Sequence, residues 1–493
     1  MAGGVAPSSS NGNSSFDSSK NYTAPLIIVT LLFFMWGFIT CMNDILIPKF
    51  KEVFNLSGTE ALLVQSAFFG AFFIVSLIYF ILSLSGNDLI AKYGYKKAII
   101  VGLLVCAVGC LGFIPAANAE SYELFLGSLF VLASGVTILQ MGANPYVTLL
   151  GKPEGASSRL NMTQAFNSLG TTIAPIIGGI LIFSCLPEEH PLDAVKMPYV
   201  ALAITLIALA VLIFFADLPV VTNSNEENPK KGKGAFAYAH LILGVICIFM
   251  YVGGEVSIGS TIINFLELDE IAGLGSEEAD KFLAVYWGGS MIGRFFAAIF
   301  LNEDTVIKDK IGSILGILVF GIFLALFLTN KEIILSHIIT PCDDAAHLEW
   351  NFNSSFIFIG VVIANIIAFL IGKKKPGITL GIFALIVCGL LLFAITGSGT
   401  PAMWSVLVIG LFNSIMFPTI FSLAIKGLGI DTSQGSSLLV MAIVGGALIP
   451  ILQGLVWDGT GSLQISFIIP LLCYAYIAFY GFIGSKPKGI SDE

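Results

Sequence analysis

Charge is what this chain has least of. Asp, Glu, Lys and Arg make up 11% of its 493 residues, where soluble proteins carry about 25%. With 56% hydrophobic residues, that scarcity argues against a water-soluble enzyme and against a basic nucleic-acid face. Short segments of alternating hydrophobicity are also missing, which removes a membrane β-barrel. The stretch GLGIDTSQG has no lysine where a phosphate-binding loop needs one, so ATP-driven transport has no support. Eight cysteines are scattered without paired spacing and read as small apolar fillers rather than ligands or disulfides. His337, Cys342, Asp343, Asp344 and His347 crowd one loop without a ligand pattern, so a solvated loop is expected there. No nucleophile and base converge on a catalytic pattern, and neither enzymatic activity nor a cofactor is expected. Residues 1–23 are rich in Ser and Asn and read as a disordered tail. They lack the basic start, short apolar core and small-residue site of a cleaved signal peptide.

What the chain has in abundance is long apolar runs. They cover 24–47, 60–84, 98–116, 122–149, 161–184 and 199–217, and, after a polar linker, 236–266, 281–301, 311–329, 352–371, 377–396, 402–426, 436–456 and 462–483. Each is long enough to cross about 30 Å of hydrocarbon as a helix. The expectation is an all-α polytopic membrane protein with fourteen transmembrane helices, six before the linker and eight after it. Basic residues fall in alternate connections: Lys92, Lys96 and Lys97; Lys152 and Arg159; Lys230, Lys231 and Lys233; Lys308 and Lys310; Lys373, Lys374 and Lys375; Lys426. Positive charge marks the cytoplasmic side, so both termini are expected in the cytoplasm and the chain in the plasma membrane, a bacterial inner membrane, as a working monomer.

Polar residues at depth carry the functional signal. Asn43 and Asp44 interrupt the first run, and a carboxylate inside a membrane must face a cavity, a partner or an ion. By helical spacing Trp36 lies near the same face. Thr137, Gln140, Asn144 and Thr148 share a face of the fourth run, and Gln164, Asn167 and Thr171 a face of the fifth. A hydrated cavity for a ligand with several hydroxyls fits these amides. Polar glue between helices is the alternative, and the threonines fit it better because they can bond their own backbone. Ser257, Ser260 and Asn264 share a face of the seventh run, with Glu255 pointing elsewhere unless Gly253–Gly254 unwinds the turn. Glu255 is therefore either a second coupling group or a structural acid. Trp287 at the start of the eighth run is either an interface anchor or a platform for a sugar ring. Arg294, in GRFF, reads as a staple near the cytoplasmic surface. The halves echo one another: ANPYVTLL in the fourth run has a counterpart in FNSIMFPTIFSL, which adds Asn413 to the candidate binding set and points to the parallel repeats of transporters.

At these motifs the chain resembles the fucose–proton symporter family of the major facilitator superfamily, in its glucose/galactose transporter branch. FFMWGFITCMNDILIPKF, ILQMGANPYVTLLG, RLNMTQAFNSLG, YVGGEVSIGS, YWGGSMIGRF and WSVLVIGLFNSIMFPTIFSLA carry the likeness, in order and over nearly the whole chain. The resemblance implies two six-helix bundles around a sugar, with alternating access. It places the coupling aspartate at Asp44, sugar-facing amides at Gln164 and Asn167, and the aromatic of FxWGF at Trp36. Fucose symporters have a glutamate where this chain has Gln140, which implies glucose, galactose or a related hexose rather than fucose.

The family's usual twelve helices leave two over, so residues 303–373 are expected to be an inserted hairpin. The resulting division is 1–23 tail, 24–217 first bundle, 218–235 linker, 236–302 start of the second bundle, 303–373 hairpin, 374–483 rest of that bundle and 484–493 tail. Whether the hairpin packs on the second bundle, meets a partner or does little stays open. The expected function is cation-coupled hexose import, with sodium or a proton as the ion and sodium held by Asp44 and Asn43. An amino-sugar or fucose symporter and a non-transporting sugar sensor are the alternatives.

Overall fold

The computed structural model describes residues 22–54, 63–183, 193–219, 233–302, 311–329, 352–372 and 375–487. All the secondary structure among them is helical. In chain order the long helices are α1 (Thr23–Val53), α2 (Leu63–Leu84), α3 (Tyr95–Asn118), α4 (Tyr122–Leu149), α5 (Ala156–Phe183), α6 (Asp193–Phe215), α7 (Ala239–Glu267), α8 (Ser276–Phe300), α9 (Ile311–Thr329), α10 (Phe352–Ile371) and α11 (Pro376–Thr396). Three further apolar stretches follow: α12 (Gly399–Ala424), α13 (Gly429–Thr460) and α14 (Leu463–Gly484).

Ten helices among the described residues are long and apolar enough to cross a membrane. Helices α5 and α8 carry their polar residues in their first halves, Arg159, Asn161, Gln164 and Asn167 in one and Glu277, Glu278, Asp280 and Lys281 in the other. Helices α9 and α10 are also apolar, as IGSILGILVFGIFLALFLT and FNSSFIFIGVVIANIIAFLI. The cluster of His337, Cys342, Asp343, Asp344 and His347 lies outside the described residues, and no group of metal-ligating side chains occurs among those described.

Packing repeats between the halves. In the first, α1 packs on α5, α2 on α4, and α3 on both α4 and α6. In the second, α7 packs on α13, α8 on α12, and α11 on both α12 and α14. Helices α9 and α10 pack on each other and on α8. Small residues make the closest contacts, as expected where lipid leaves helix association to van der Waals packing. A Cβ at Gly37 would collide with the Asn167 carbonyl, and one at Gly170 with the Phe34 carbonyl. Gly170→Ala is therefore expected to lower stability by about 1–3 kcal/mol, the usual range for overpacking. Thermal denaturation of the purified protein in detergent checks this.

Of the two courses open at Gly253–Gly254, α7 takes the unbroken one and runs helical through both. Gly253 lets α13 approach, since a Cβ there would overlap Ile449. The run expected at 402–426 is found as one apolar span, Gly399–Ala424, whose helical hydrogen bonding breaks between Gly399–Leu407, Ile409–Asn413 and Met416–Ala424 while the backbone stays right-handed. Its irregular turns fall at Val408 and at Ser414–Ile415.

Candidate functional site

The first half contributes side-chain amides from α4 and α5. Gln140, Asn144 and Gln164 are all buried. Gln164 Nε2 donates to Asn144 Oδ1 at 3.4 Å, while Asn144 Nδ2 is buried without a hydrogen-bond partner. A native fold rarely leaves such a donor unmatched, because its desolvation is uncompensated. Asn167 is used differently: its Nδ2 donates to the Phe33 carbonyl at 3.0 Å, tying α5 to α1. Trp36 is buried beside Phe33, with ring centroids 5.2 Å apart. The threonines bond their own helices, Thr137 to Ala133 O at 2.8 Å, Thr148 to Pro145 O at 2.7 Å and Thr171 to Ser168 O at 2.8 Å. Asn43 and Asp44 belong to α1, and their side chains fall outside the described residues.

The second half contributes a network at the break in α12. Tyr251 Oη donates to Glu255 Oε1 at 2.7 Å and reaches the Asn413 carbonyl at 3.2 Å. Tyr286 Oη donates to the Glu255 carbonyl at 3.1 Å. Asn413 spends its amide here, with Nδ2 donating to Tyr286 Oη at 2.9 Å and Oδ1 accepting from Tyr474 Oη at 2.7 Å. Asn413 thus supports the break through its side chain. Trp287 is 43% exposed and stands edge-on to Tyr286, with centroids 5.0 Å apart. Asn264 is exposed and stands apart from this network.

Sequence reasoning missed Arg294. The helix end in GRFF points to the surface, yet the folded guanidinium lies between the halves. Its Nε donates to the Ser414 carbonyl at 3.1 Å, and its Nη1 to the Gln164 carbonyl at 3.4 Å and to Ser168 Oγ. Its charge also acts on Glu255. Neighbouring Gly293 makes this approach possible, since a Cβ there would strike Ser414. A charged residue within an apolar run was the available signal.

Further bonds join the halves nearer the end that holds the α2–α3 and α4–α5 connections. Ser157 and Ser422 share a hydrogen bond of 2.6 Å, and Ser158 donates to the Ala298 carbonyl. Gln434 Nε2 donates to Ser83 Oγ at 3.2 Å, and Ser436 Oγ to the Met141 carbonyl at 3.1 Å. Ser433 donates to Asp88, which also accepts from Tyr79 Oη at 2.6 Å and caps Ala91 N at 2.8 Å.

Residues 26–340 match the family model described as Major Facilitator Superfamily. The chain is 45% identical to a glucose/galactose transporter of Brucella abortus, over 95% of this chain and 96% of that one. It is 30% identical to the L-fucose-proton symporter of Escherichia coli, over 94% of this chain and 93% of that one. A solved structure of a superfamily transporter in the outward conformation has a TM-score of 0.72 and 28% identity, covering 95% of this chain and all of the other. The chain belongs to the Major Facilitator Superfamily, in its fucose symporter family and on the glucose/galactose transporter branch.

Proposed function

We propose that this chain imports glucose, galactose or a related hexose across the bacterial inner membrane, by cation symport through alternating access. The buried amide group of Gln140, Asn144 and Gln164 carries the reading, with the unmatched Asn144 Nδ2 as its sharpest feature. A sugar hydroxyl offers an acceptor for that donor and a donor for the amide oxygens. The relatives named as a glucose/galactose transporter and a proton symporter support the substrate and the ion respectively. They favour a proton over sodium, and Asp44 is the proposed ion-binding carboxylate. With both termini cytoplasmic, the bonds between the halves close the cytoplasmic end. The likeness to a transporter in the outward conformation agrees with that state. Trp287, the more exposed of the two candidate tryptophans, offers the sugar an aromatic face.

Residues 303–373 we read as an inserted hairpin. In support, α11 pairs with α12 and α14 as α3 pairs with α4 and α6, while α9 and α10 lie against α8. The hairpin packs on the core through aromatic contacts such as Phe320 on Phe295 and Phe369 on Phe300 and Phe383, and Nδ2 of buried Asn365 donates to the Leu411 carbonyl at 3.4 Å, beside the break in α12.

Sugar uptake into vesicles, with proton and sodium gradients imposed separately, tests the reading. Accumulation under neither gradient would overturn symport, and absence of counterflow would overturn transport. Within the site, Asn144→Leu and Gln164→Ala are each expected to weaken sugar binding about tenfold, since a lost hydrogen bond to a ligand is worth about 0.5–1.5 kcal/mol and an unmatched partner adds to it. Titration calorimetry measures this. Unchanged affinity in both folded variants would assign the amides to helix packing.

A further inference from the structure

Arg294 is a costly residue for its place. It sits well inside α8, and an arginine in a membrane helix requires compensation. Its own half gives it the Ser414 carbonyl and, at longer range, the charge of Glu255. The other half gives it the Gln164 carbonyl and Ser168 Oγ, both on α5. Two of its three hydrogen-bond partners therefore exist for it only while α5 and α8 stay together. Hydrogen bonds from a charged donor are about twice as strong as neutral ones, so parting these helices costs more here than at the neutral contacts Ser157–Ser422 and Ser436–Met141.

The partners are also informative. Gln164 carries one of the candidate sugar-binding amides, and Ser414 follows Asn413 at the break in α12. Arg294 holds the main chain of both, so it links the two halves of the candidate site without using their side chains. The bonds at Ser157–Ser422 and Ser436–Met141 mark the same closed end but involve only neutral groups.

We propose that Arg294 is a positioning residue that latches the two bundles. It stabilises the state closed at the α2–α3 and α4–α5 end, and it must release Gln164 and Ser168 for that end to open. The inference takes its meaning from the alternating-access reading above, but its test does not depend on sugar.

The experiment uses the full chain in liposomes, with native cysteines replaced and S422C as a reporter buried at the closed end. The rate at which a membrane-permeant maleimide labels that thiol reads how often the end opens. Arg294→Gln is expected to raise the labelling rate about tenfold or more, as loss of a charge-assisted bond implies. Ser168→Ala, which removes only the receiving hydroxyl, is expected to raise it by a smaller factor. Arg294→Lys, which keeps the charge but not the fork, is expected to fall between Arg294→Gln and the parent. If Arg294→Gln does not fold, Ser168→Ala and Arg294→Lys carry the test. Unchanged labelling in the folded variants, even with a lowered melting temperature, would overturn the latch and leave Arg294 a purely structural residue. Failure of the parent protein to move sugar would overturn the proposed function and leave the labelling result standing.

Discussion

Asp44→Asn is expected to abolish gradient-driven sugar accumulation while exchange of sugar between equal pools continues. Asp44 lies within α1, in a run that is otherwise almost wholly apolar. A carboxylate at such a position costs several kcal/mol unless something offsets its charge, and a bound cation does so. The asparagine keeps the shape and hydrogen-bonding capacity but holds no proton and binds a cation weakly. Without ion binding the two directions of the cycle become equivalent, and sugar only equilibrates. Exchange needs no net ion movement and therefore survives in part. Accumulation at the parental level in the folded variant would remove Asp44 from the coupling role. The same measurement with a sodium gradient in place of a proton gradient separates the two ions.

Much of the architecture was legible from hydrophobic length alone, because a membrane span must satisfy its own backbone and is therefore a long apolar helix. The buried state of Gln140, Asn144 and Gln164 followed from their shared faces. Three features were not legible. Arg294 looked like a surface charge because GRFF reads as a helix end, and the sequence says nothing of which neighbour it faces; only the approach of α5 reveals its partners. Asn413 looked like a ligand group because it echoes the first half, but Tyr286 and Tyr474, which take up both ends of its amide, come from distant parts of the chain. The glycine pair at 253–254 left the course of α7 open. Glycine costs about 1 kcal/mol relative to alanine inside a helix, and the close approach of Ile449, which leaves no room for a Cβ at Gly253, accounts for it in an unbroken one. In each case the missing information was a contact distant in sequence.

Glu255→Gln is expected to slow sugar counterflow by a factor of about 10–100, with sugar affinity changed about threefold or less. One proton here has two acceptors. The Tyr251 hydroxyl lies 2.7 Å from Glu255 Oε1 and 3.2 Å from the Asn413 carbonyl at the break in α12. Glu255 holds the shorter of the two bonds and so wins that competition. An amide oxygen in its place competes on nearly equal terms with the Asn413 carbonyl, and the hydroxyl is drawn toward the break. A rate effect of about 10–100 corresponds to about 1.4–2.7 kcal/mol, the scale of one hydrogen bond to a charged group. Affinity should move little because Asn144 and Gln164, the proposed sugar contacts, bond each other rather than Glu255. Tyr251→Phe removes the shared proton and keeps Glu255, so its effect should be smaller and in the same direction. Counterflow rates and calorimetric affinities on the two variants decide the matter. Parental counterflow in Glu255→Gln would make the carboxylate a helix-packing group, while an affinity loss as large as the rate loss would move it into the sugar site.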